Sequence, residues 1–194
     1  AHEPDKPRQI NMIVLEDVMK YELTEETQTV NGTTLYRIRA LRSFGDVKAG
    51  DLGGWIESER NLSQKGDAWV FGNARVSGDA QVYGDAQVCG NAWVCGNARV
   101  CGDAQVSGNA QVSGDARVTG DARVTGDARV TGNAQVSGDA QVFGDAWVFN
   151  NARVFGDAQV FGNARVSGDA QVSGNAWVFG NAQVSGDARV TGDA

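Results

Sequence analysis

Gly66-Asp67-Ala68-Trp69-Val70-Phe71 opens a pattern, Gly-Asp/Asn-Ala-x-Val-x, that runs through twenty-one six-residue units to Thr191 and the stub Gly192-Asp193-Ala194. Asn150 alone departs from it, standing where a Gly is due, and no unit carries an insertion. A period of six fits neither the 3.6 of an α-helix nor a heptad. Ala and Val stand two apart in each unit, so a short strand turns both to one face. The intervening Gln, Arg or Trp then points to the other face. Gly-Asp/Asn supplies a corner, because Gly accepts positive φ and Asp or Asn bonds nearby backbone groups. A strand this short buries nothing alone. The units must therefore stack into one continuous Ala/Val core, with backbone bonds between coils ~4.8 Å apart.

These units resemble the hexapeptide-repeat family of left-handed parallel β-helices. The resemblance implies three units per triangular coil of 18 residues, hence about seven coils over 66–191. It also implies a hand opposite to the usual right-handed crossover. Val where Ile or Leu is commoner, and Gly directly before Asp/Asn, make this variant most similar to prophage-associated hexapeptide proteins that carry a transferase label. The expected class is all-β: a left-handed triangular parallel β-helix with an N-terminal β-hairpin cap.

Three segments are expected in the 194 residues: a flexible lead over 1–18, a cap over 19–65, and the repeat over 66–194. Residues 1–18 are polar apart from Met12–Leu15, and Met19 looks like a natural start. Asn31-Gly32 between two apolar-alternating runs marks a hairpin. Tyr36, Ile38 and Ala40 alternate with Arg37 and Arg39, which predicts one buried face and one wet face. The stretch Phe44–Ile56 resembles the preface found ahead of the repeat in those prophage proteins. Gly53-Gly54 lacks the Lys-Ser/Thr of a phosphate loop, so a degenerate first coil is the better reading. Ile56 and Leu62, twelve and six residues before Ala68, fall in the Ala register.

Composition excludes more than it selects. Two Pro and 26 Gly without a three-residue period exclude collagen. No run approaches ~20 apolar residues, and no charged-then-apolar leader appears, so neither a spanning helix nor a secretory signal is expected. Three Cys, an odd number, fit a reducing compartment, and the expected location is cytoplasmic. A net charge of −7 argues against nucleic acid. The acyltransferases of the resembled family use a His base and a loop thrown out of the coil; the single His here is His2, and no loop interrupts the repeat. The related zinc-dependent carbonic anhydrases need several His ligands. Cys89, Cys95 and Cys101 fall at three corners of one coil, where their sulfurs diverge from any one ion. No catalytic residue, metal or cofactor is therefore expected.

Writing the chain at a period of 18 stacks Asp67, Asp85, Asp103, Asp121, Asp139 and Asp157 in one column, and Asn73, Asn91 and Asn109 in another. Local turn bonding accounts for these residues without an ion. Thr119, Thr125 and Thr131 circle the prism and make no flat ice-binding lattice. Eight Arg against thirteen Asp over 66–194 read as an evenly mixed, solvated surface. The aromatics carry more. Phe143, Phe161 and Phe179 share one corner column, Trp177 precedes that corner, and Trp147 follows it; these five are the candidate interface. The expected function is a non-catalytic rigid module for binding or assembly, acting on a protein partner, with self-association through the C-terminal half and with a phage-encoded protein acting on a host protein as one version. The alternative is a degenerate acyltransferase-like enzyme.

Overall fold

The computed structural model describes residues 19–192; the lead over 1–18 and the last two residues lie outside it. The chain forms a parallel β-solenoid of about eight turns, each 18 residues long, with three sheets along its sides. One sheet has ten strands and the other two have seven each. Successive strands of a sheet come from every third unit, as in Val88, Val106, Val124 and Val142, which pair in register. Every repeat Ala from Ala68 to Ala170 and every repeat Val from Val70 to Val172 is buried. The spacing of two does this, and it places the outward residue in water without further instruction. In the last described coil Ala182 and Ala188 are exposed.

The corners use the backbone that only Gly takes easily. Gly108 has φ +69°, and a Cβ there would meet the next coil's Gly126 N at 2.9 Å. Asn150 occupies its corner at φ 59°, the left-handed region that Asn tolerates better than most residues.

Ahead of the repeat, β1 (Tyr21–Val30) and β2 (Thr33–Ala40) form the antiparallel hairpin, turning through Asn31 and Gly32, both at positive φ. β3 (Leu52–Ile56) pairs antiparallel with β2 on one side and parallel with Arg75–Val76 on the other. It therefore joins hairpin to solenoid. Gly53 and Gly54 are packing glycines, since a Cβ would sit 2.5 Å from Ile38 Cγ1 and 2.6 Å from Ala74 O respectively.

Two expectations need correction. Ile56 lies opposite Val76, and Leu62 opposite Val82, so both stand in the Val register. Counting back by sixes fails because this coil lacks the Gly-Asp/Asn corner that sets the count. A shift of two preserves the facing, and both residues stay buried. In β2, Tyr36 is half-buried, while Leu35 is buried. The β2–β3 register breaks between Arg37 and Arg39, which interrupts the simple alternation.

Side chains close the first coil. In regular coils the carbonyls of Gly102 and Ala104 accept from the N–H groups of Asp85 and Gln87 in the coil before. No regular coil precedes Gly66 and Ala68. Lys20, fully buried, donates from Nζ to Ala68 O at 2.8 Å and to Gly66 O at 3.3 Å. Asn61 does the same at the third corner, its Nδ2 donating to Gly78 O and Ala80 O, both at 2.9 Å. At the second, Trp55 N donates to Ala74 O. Trp69, at an outward repeat position, is buried under Tyr21 and Phe44, edge-on at 6.0 and 5.3 Å.

Burial draws the Lys20 ammonium down to about 8, against the opposing pull of Asp67 and Asp85 and with Arg42 adding to the fall. The unfolded chain then holds this proton more tightly, so this group's contribution to stability rises with pH between about 8 and 10.5. Tyr21 and the Cys89 and Cys95 thiols, all raised by burial, act in the opposite sense at higher pH. The clean readout is a difference. Urea denaturation of wild type and Lys20→Met is expected to show a stability gap that widens from pH 7 to pH 10. A constant gap would remove Lys20 from this role.

Candidate binding surfaces

Phe143, Phe161 and Phe179 follow strands of the sheet that begins at Trp69–Val70, one coil apart. Their rings stack at 4.8 Å between Phe143 and Phe161 and 5.4 Å between Phe161 and Phe179, nearly parallel. Trp177 meets Phe161 edge-on at 6.3 Å. Trp177 is 61% exposed and Phe179 57%. Each such aromatic pair contributes ~0.5–1.5 kcal/mol beyond its buried area, so the column is a stiff, preformed ridge. Four of the five expected residues thus come together.

Trp147 stands on the next side, in the ten-stranded sheet, packed on Phe149 at 4.6 Å. Its Nε1 donates to Thr131 Oγ1 at 3.1 Å, and the Arg165 guanidinium lies 6.0 Å from its ring. Trp93 is pinned by the same device, Nε1 donating to Ser77 Oγ at 3.1 Å.

The corner polar residues form ladders along the axis. Asn73 Nδ2 donates to Asn91, Asn91 to Asn109, and Asn109 to Asp127, at 3.4, 3.1 and 2.9 Å. Asn97 to Asp115 and Asn151 to Asp169 repeat the motif, so Asn serves as donor to the acceptor one coil on. In the column of six Asp, Asp85 Oδ1 accepts from Asp67 N at 2.9 Å. Among the described residues no group of His, Cys, Asp or Glu is arranged to hold a metal ion. Cys89, Cys95 and Cys101 are free and follow strands of three different sheets. Burial raises the Cys89 and Cys95 thiols, which makes them poor nucleophiles. No helix is long and apolar enough to cross a membrane among the described residues.

Charge is not evenly mixed once the three sides are separated. The side of the ten-stranded sheet carries three repeat Arg against two Asp, and the side beginning at Trp69 one Arg against six Asp. The side beginning at Gln81 balances four against four. Reading along the chain hides this, because neighbouring units lie on different sides.

A three-sided stack of six-residue units, capped ahead of its first coil by a hairpin and by the side chains of Lys20 and Asn61, defines a parallel β-solenoid. The chain matches the YdcK β-solenoid repeat family over residues 68–84, 86–102, 92–108, 110–125, 122–138, 158–170, 170–183 and 182–194, more than half its length, and belongs to that family. It is also similar to a protein of Escherichia coli (strain K12) described as an uncharacterized acetyltransferase, YdcK, at 38% identity over 60 residues. The aligned part spans 27% of this chain and 18% of that protein.

Proposed function

We propose that this solenoid is a non-catalytic, rigid module for binding and assembly, and that it joins a second copy of itself through the C-terminal aromatic corner. The carrying observation is the Phe143–Phe161–Phe179 stack, whose exposed end is extended by Trp177. A preformed aromatic ridge binds at low entropic cost, since no side chain has to be ordered on contact. Light scattering is expected to give a multimeric mass for wild type and a monomer for Phe161→Ser/Phe179→Ser, with circular dichroism unchanged. A monomeric wild type at high concentration contradicts the proposal, as does a multimer indifferent to both substitutions. The phage-encoded version, in which the scaffold also acts on a host protein, rests on resemblance to prophage proteins.

A second reading, an acyltransferase-like enzyme, draws on the acetyltransferase name of the similar Escherichia coli protein. Against it, the sole His of the sequence is His2, and partial burial pushes the Cys89 and Cys95 thiols up, away from the reactive thiolate.

A further inference from the structure

The outward residues of the ten-stranded sheet form one ladder in direct register. Arg75 lies beside Trp93, Trp93 beside Gln111, Gln111 beside Arg129, Arg129 beside Trp147, and Trp147 beside Arg165. At ~4.8 Å per coil the row runs ~24 Å along the axis. Lys, Asp and Glu are absent from it. Trp and Arg are the residues most enriched among those that dominate protein interfaces, while Lys, Asp and Glu are depleted there.

Three observations give the row a direction. None of the three guanidiniums has a carboxylate within ion-pair distance among the described residues; the ion pairs seen involve Arg37, Arg39 and Arg60. Arg75 Nε is buried and meets no acceptor. The two indoles are already fixed, by Ser77 and Thr131, so they present set faces. A cleft of about 280 Å³ opens at the C-terminal part of the row, between Arg129, Trp147 and Arg165. Asp127 and Asp145 border it, yet this side still carries the fewest Asp of the three. A ligand bearing acceptors and flat apolar groups is drawn to this side and repelled from the column of six Asp.

We infer that this row is a docking surface for an acidic protein segment, whose carboxylates pair with Arg75, Arg129 and Arg165 while its apolar side chains pack on Trp93 and Trp147. The inference rests on the binding-module reading but uses a different side of the prism from the aromatic corner. Nucleic acid fits less well, because its closely and evenly spaced phosphates call for a dense run of cations, and this row holds three Arg separated by Trp and Gln.

The test uses the full chain and an immobilised copolymer of glutamate and tyrosine, with oligo-deoxythymidine, polygalacturonate and polylysine as comparisons. Wild type is expected to bind the Glu–Tyr copolymer saturably and more tightly than the two other polyanions, while polylysine, which the column of six Asp attracts, is expected to bind without dependence on Arg129 and Arg165. Arg129→Gln/Arg165→Gln is expected to weaken that binding at least tenfold. Gln already serves at this position in many units, so the variant keeps its fold. Arg99→Gln/Arg117→Gln, on another side, is expected to leave the affinity unchanged. Phe161→Ser/Phe179→Ser is also expected to keep it, which separates a failed corner from a failed row. Absence of copolymer binding overturns the inference, as does equal binding by the Arg129/Arg165 variant. Tighter binding of oligo-deoxythymidine or polygalacturonate assigns the row to another class and overturns it as well.

Discussion

Val124→Asp is expected to unfold the middle of the solenoid. Val124 is fully buried and stacks between Val106 and Val142 in adjacent coils. Losing its burial costs ~1.5–3 kcal/mol, and a buried unpaired carboxylate adds several more. The combined loss is on the order of 5 kcal/mol or more, comparable with the whole stability of an ordinary domain. Each coil contacts only its neighbours, so the damage spreads by removing the surface on which the next coil packs. Far-UV circular dichroism under urea is the measurement. Arg123→Gln, one residue away and exposed, is expected to change stability by less than ~0.5 kcal/mol. Equal behaviour of the two variants would contradict a core made of stacked Val.

Gly108→Ala tests the corners. The residue has φ +69°, and its added Cβ would meet Gly126 N and O at 2.9 Å. The left-handed backbone alone costs ~1–2 kcal/mol for an ordinary side chain. The steric overlap is with backbone, which cannot swing aside, so a total of ~2–4 kcal/mol is expected. Gly108→Asn carries the same Cβ but tolerates the backbone better, as Asn150 does at φ 59°. Its urea midpoint is expected to fall between those of wild type and Gly108→Ala. An alanine variant as stable as wild type would mean that the corners do not depend on Gly.

The repeat was legible because its signal recurs: Ala68 and Val70 are repeated, unit after unit, at the spacing that faces both inward. Asn31-Gly32 was legible because few sequences favour two consecutive positive φ angles. Lys20 and Asn61 were not. Each acts once, by replacing two backbone donors of a coil that is missing, and nothing periodic marks such a residue. The burial of Ile56 and Leu62 is legible in the sequence but their column is not, since only a regular corner keeps the count of six. At the surface, the five aromatics were visible, yet Trp147 belongs with Arg129 and Arg165 more than with the Phe stack. The row became visible only when residues 18 apart were placed side by side. Along the chain, Arg75 and Trp93 are separated by two units that face elsewhere.

The claim that this scaffold binds and does not catalyse is tested most directly by calorimetric titration of the full chain with acetyl-CoA. The account predicts no saturable heat. Saturable binding, with turnover of an acceptor that is lost on changing a repeat residue, would contradict it.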